Sequence, residues 1–199
     1  EKIGSYVDGF DLNPDLAKQA LEASMLKGLE EKAVIKGFDP ATFELKTNFY
    51  DGWLLRDTLV AIEDKDAFLE IVPSAVKLGK PIVITESFIT AAESGPLATA
   101  SIDGEPAIVF PCEASLVIDK LEASNFDVRV NAAETAQYTA LACTAWVEMA
   151  DKITGKELDG DLADALVRET ELWDRRNETY VAGELEMRRI VAFKKSEVS

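Results

Sequence analysis

Apolar side chains return at three-to-five spacing from Leu16 through Ala20, Met25 and Leu29 to Ala33, with Glu22, Lys27, Glu30 and Glu31 between them. That period predicts a helix over 14–36, opened by Asn13-Pro14-Asp15 as cap, first-turn proline and first-turn acid, and closed by Gly37. Over 42–50 the rhythm shortens to alternation: Phe43, Leu45, Thr47 and Phe49 against Glu44, Lys46 and Asn48. This is the pattern of a half-buried strand, turned by Asp51-Gly52. Residues 53–62 read as strand by the residue types of Thr58 to Ile62. Asp64 then caps a short helix through Ile71, interrupted by Pro73, and a compact strand follows over 81–85.

A β-hairpin is expected at 98–102 and 106–110, joined through Asp103-Gly104. Residues 111–124 read as helix, and Phe126, Val128 and Val130 as strand, which together make one crossover unit. Asn131 and Glu134 resemble a capping box that opens an alanine-rich helix over 131–154. Its stripe of Ala133, Ala136, Ala140, Cys143, Val147 and Ala150, widened by Leu141, Trp146, Met149 and Ile153, predicts burial on more than one side. A last helix carries Leu162, Ala165, Leu166, Leu172 and Trp173 on one face, and residues 185–193 close as a strand. The order fits an α+β fold: a mixed sheet with a β-hairpin and several packed helices, in a single domain over 1–199.

Composition narrows the partners. The 199 residues carry 37 Asp plus Glu against 21 Lys plus Arg, a formal charge of −16. That field repels phosphate backbones and anionic lipid heads, and the basic pairs Arg175-Arg176, Arg188-Arg189 and Lys194-Lys195 are each flanked by acids. Neither nucleic-acid binding nor membrane insertion is expected. Apolar runs such as Ile82 to Ile84 fall far short of a bilayer span. The sequence begins at Glu1 without a signal-peptide pattern, which leaves the compartment unread.

The chain has no histidine, which removes Ser-His-Asp and Cys-His nucleophiles and histidine-ligated metals from its vocabulary. Cys112 and Cys143 cannot build a zinc site alone, and Cys143 reads as a buried thiol in a helix. No Walker loop or spaced-glycine dinucleotide fingerprint follows a strand, so neither a metal nor a cofactor is expected. Three residues remain as catalytic candidates. Cys112 follows a strand and stands at a helix start, where the dipole lowers a thiol pKa, although Glu113 opposes that effect. Glu86 and Glu93 follow a strand end, a common ligand position in α/β sheets, with a seven-residue spacing that would align them on a helix. Trp53, Trp146 and Trp173 read as core.

Two functions compete. The absence of catalytic vocabulary favours a non-catalytic structural or assembly subunit, a homo-oligomer of the kind that builds a shell, tube or virion. The alternative is a small-molecule enzyme or binding domain with a pocket near Cys112, Glu86 and Glu93.

Overall fold

The computed structural model describes residues 4–90 and 110–196, which fall into two compact units divided between Leu45 and Lys46. The expected hairpin and Glu93 lie outside the described residues.

The first unit is one β-α-β turn. Strand β1 (Val7–Asp11) leads to helix α1 (Pro14–Leu26) and back to β2 (Ala33–Gly37), which pairs with β1 in parallel. Asn13 caps α1 as the sequence predicts, its side chain accepting from the N–H groups of Asp15 and Leu16. The helix ends ten residues before the expected boundary because Gly28, at φ +64°, turns the chain in the left-handed region. Val34 and Ile35 then follow residue type into a strand. Phe10, Phe38 and Phe43 stack on one another, with ring centroids 4.6 to 6.3 Å apart, and Phe43 is buried.

The second unit is built on a four-stranded mixed sheet of order β3-β4-β6-β5: β3 (Trp53–Arg56), β4 (Pro81–Ile89), β5 (Phe126–Ala133) and β6 (Leu185–Lys194). β3 and β4 run parallel, as the crossover through α2 (Lys65–Ala75) requires, and β6 is antiparallel to both its neighbours. Helix α3 (Ala114–Ala123) precedes β5 and buries Val117 and Leu121. A helical hairpin, α4 (Thr135–Ile153) and α5 (Gly160–Ala182), connects β5 to β6. The core of this unit includes Leu59, Phe68, Val72, Ile84, Phe88, Phe126 and Ile190.

Several expectations are corrected. Residues 42–50 make no strand: the Asn48, Phe49 and Tyr50 amides donate to carbonyls of Ser74 and Ala75 at the end of α2, and Phe49 stays 48% exposed. The run 53–62 is strand only to Arg56, because Asp57 takes a positive φ of 47° and Leu59–Ala61 closes a 3-10 turn. α2 continues through Pro73, and Lys194 Nζ donates to the carbonyls of Pro73, Ser74 and Val76, satisfying the helix end.

Asn131 is no helix cap. It pairs with Ile190 within β5, and its Oδ1 accepts from Arg188 Nε at 2.8 Å. The start of α4 is fixed instead through β6, where the Met187 amide donates to Thr135 Oγ1 and the Glu134 amide to the Met187 carbonyl. α4 is not a buried packing element either, since none of its residues is buried and Leu141 and Val147 are 71% and 62% exposed.

Candidate active site

Glu86 breaks the pattern of its own strand. Ile82, Ile84, Glu86 and Phe88 share the core-facing side of β4, so a carboxyl occupies an aliphatic position and is 1% exposed. Such a group persists only when its oxygens are satisfied. Oε2 accepts from the Leu59 amide at 2.6 Å and Oε1 from the Ser87 amide at 3.1 Å. Burial still dominates and, reinforced by the charge of Asp57, pushes the carboxyl up to about 7.

Asp57 follows β3 directly. Its amide donates to the Thr85 carbonyl, which places it beside β4 at the carboxyl end of the parallel pair, where ligands of open α/β sheets bind. Its side chain keeps 42% of its surface in solvent, yet loss of water on the covered flank raises its pKa against the lowering influence of Arg56 and Arg176.

The helical hairpin supplies the other wall. Tyr180, near the end of α5, meets Ser87 Oγ at 2.5 Å, and its ring lies 6.0 Å from that of Tyr138 on α4. Burial raises both phenols above their ordinary value, with Asp57 adding to the effect. Gly183 ends α5 at φ +75° and lets the chain turn into β6, while its carbonyl accepts from Thr90 Oγ1. Asp57, Glu86, Ser87, Tyr138, Tyr180 and Arg176 therefore act electrostatically on one region. It offers proton transfer by carboxylates and hydrogen bonds from phenols, but no activated nucleophile.

Cys112 borders this region. Ile89 donates its amide to the Cys112 carbonyl, and Lys65, whose Nζ donates to the carbonyls of Ile62 and Phe110, helps hold the segment. Burial pushes the thiol up to about 11, outweighing Lys65, so it stays protonated near neutrality. Helix α3 begins two residues later, at Ala114. Cys143, expected to be buried, is exposed. Glu86 sits on a strand rather than a helix. Among the described residues no cluster of acids and cysteines is placed to hold a metal, and no helix is long and apolar enough to cross a membrane.

Asp57, Tyr138, Tyr180 and Arg176 were missed in the sequence. Asp57 carried one signal, a polar Arg-Asp-Thr interruption in an otherwise apolar run. The others come from a distant hairpin that only the fold brings back.

No protein-family model matches the sequence, and no curated protein does. Solved structures do. Phosphoethanolamine N-methyltransferase 2 of Haemonchus contortus, in complex with phosphomonomethylethanolamine and S-adenosylhomocysteine, aligns at TM-score 0.76 and 18% identity over 98% of this chain and 45% of that one. Geranyl diphosphate C-methyltransferase of Streptomyces coelicolor aligns at 0.68 and 11% identity, covering 97% of this chain and 65% of that one. The [4+2]-cyclase SpnF aligns at 0.68 and 16% identity, covering 96% and 67%. The chain thus spans less than half the length of the Haemonchus protein. At these identities the likeness establishes the fold: the Rossmann-like arrangement of mixed sheet and helices used by these enzymes, a more specific architecture than the expected α+β class. It also overturns the expectation of a non-catalytic shell, tube or virion subunit, because these three structures that share the fold are two methyltransferases and a cyclase.

Proposed function

We propose that the chain is a small-molecule enzyme whose acceptor site is the Asp57–Tyr138–Tyr180 region, and that its reaction is methyl transfer from S-adenosylmethionine. The observation that carries the enzymatic part is Glu86, a carboxyl held in an aliphatic sheet position behind an exposed carboxylate at a strand end. A fold without a site there would place an aliphatic residue at 86. The choice of methyl transfer rests on the fold likeness, and since a cyclase shares that fold, the reaction is inferred from analogy rather than from geometry.

The first unit supplies the residue that would hold the cofactor. The start of α1 is already closed by Asn13, so this β-α-β turn does not cradle a phosphate. Asp11, half-buried, ends β1 with its Oδ1 accepting from the Asn13 amide at 2.8 Å, and is the residue type that accepts from ribose hydroxyls at the end of a Rossmann strand. A phosphate-free adenosyl group fits that arrangement, with Asp11 holding the ribose. When bound, the cofactor would supply an electrophilic methyl group.

The chain's own residues would do the rest. Asp57 binds the polar end of the acceptor and takes the proton it releases. Glu86, through the Leu59 amide, holds the 3-10 turn that follows Asp57. Tyr138 orients the acceptor as a hydrogen-bond partner. With labelled S-adenosylmethionine and a panel of small amines and alcohols, we expect methylated product from the wild type. Asp57→Asn should lower the rate by about 10²-fold or more, within the usual range for a positioned acid or base. Unchanged turnover in a folded Asp57→Asn protein would refute the site.

A further inference from the structure

Arg176 lies on the same face of α5 as Trp173 and Tyr180, three residues after the one and four before the other. Its guanidinium sits over the Trp173 ring, 5.4 Å from the centroid. That ring is 5.9 Å from the ring of Tyr138, which in turn is 6.0 Å from the ring of Tyr180. Trp173, expected in the core, is half-buried, and so is Arg176. The stack therefore fixes a positive charge on the wall that Tyr138 and Tyr180 form. From there the charge acts on both phenols and on Asp57 at the end of β3.

Stacking occupies the face of the guanidinium and orients its edge. That edge carries five N–H donors in a plane, enough for more than one partner, and matches the paired oxygens of a carboxylate or phosphate. Asp57, on a different element, carries the opposite charge. Arg56 Nε lies 3.8 Å from Asp57 Oδ2, an exposed contact that a ligand cation can replace. Burial raises the pKa of Tyr138, so its hydroxyl keeps its proton near neutrality and donates to an anion. A ligand with only an anionic group would meet Asp57 as a like charge, and one with only a cationic group would meet Arg176. A zwitterion satisfies both.

We infer that the acceptor is a zwitterionic amine, its nitrogen paired with Asp57 and its carboxylate or phosphate held by Arg176, which makes Arg176 a specificity-determining residue. The inference rests on the acceptor site proposed above, and on no step of the methyl transfer.

The test compares 4-aminobutanoate, 3-aminopropyl phosphate and 4-amino-1-butanol as ligands of the full chain, by saturation-transfer NMR titration with and without S-adenosylmethionine. One of the two zwitterions should bind about tenfold or more tightly than the amino alcohol, and which of them does so names the anion. Butanoate, which lacks the amine, should bind as weakly as the amino alcohol. Arg176→Gln should remove the preference, and Arg176→Lys should keep part of it. Each protein is compared across ligands, so a loss of folded protein lowers every affinity together and does not imitate this result. Equal binding of zwitterions and amino alcohol, no saturable binding of either zwitterion, or a preference that survives Arg176→Gln would overturn the inference. A zwitterion preference in a protein that transfers no methyl group would uphold the ligand class and count only against the reaction assigned above. Methyl transfer at equal rates to the zwitterions and the amino alcohol would leave that reaction standing and sink the ligand class.

Discussion

Glu86 costs the fold stability when it ionises, and the sign of that cost is testable. Its folded pKa of about 7 lies above the ordinary glutamate value of 4.5, so the folded state holds the proton more tightly than the unfolded chain. The associated stability is fully present below about pH 4.5 and is lost as pH rises through 7, by at most on the order of 3 kcal/mol. Wild type should therefore lose stability between pH 5 and pH 8 relative to Glu86→Gln, as read from denaturant midpoints of the two proteins. Parallel pH dependences would show that Glu86 is not the buried acid described. Thiol chemistry gives a second check at this scale. Cys143 is exposed while the Cys112 thiol is pushed up to about 11, so an alkylating reagent at pH 7.5 should label Cys143 first. Faster labelling of Cys112 would restore it as a nucleophile candidate. Glu86 was legible as a residue near a strand end but not as a core-facing one, because the strand was expected to stop at Thr85. Extending the alternation of Ile82 and Ile84 by two residues would have marked it.

Elements were legible where local signals agreed and misread where a distant partner decided. The Asn13 cap and the start of α1 are local, and both stand. Asn131 and Glu134 carry the residue types of a capping box, but β6 extends the antiparallel ladder through Ala133 and takes Asn131 as a strand residue. Pairing across the sheet outweighs a cap worth about 1 kcal/mol. The alanine stripe of α4 misled for a related reason: apolar periodicity reports a face without saying what covers it. Ala140 is exposed, so Ala140→Leu should change stability by no more than about 0.5 kcal/mol. The end of α2 should respond far more. Lys194→Met removes the ammonium that donates to the Val76 carbonyl and shares those of Pro73 and Ser74 with backbone amides, and should cost about 1–3 kcal/mol. A midpoint shift larger for Ala140→Leu than for Lys194→Met would reverse this assignment of buried and exposed faces.

The absence of histidine is weak evidence against catalysis. It excludes particular nucleophiles and metal sites but not catalysis by carboxylates and phenols. Apart from Glu86, the site was illegible because its members lie at positions 57, 138, 176 and 180, and no spacing in the sequence joins them. Only the return of the chain from β5 through α4 and α5 to β6 places the tyrosines near the carboxyl end of β3. The methyl-transfer reading stands or falls on whether the chain takes up the proposed methyl donor. Equilibrium dialysis against labelled S-adenosylmethionine measures this directly. One equivalent should bind per chain, displaced by S-adenosylhomocysteine, weakened at least tenfold by Asp11→Ala and unchanged by Ala140→Leu. No retention of label by the folded protein at millimolar donor, or retention indifferent to both Asp11→Ala and S-adenosylhomocysteine, would contradict it.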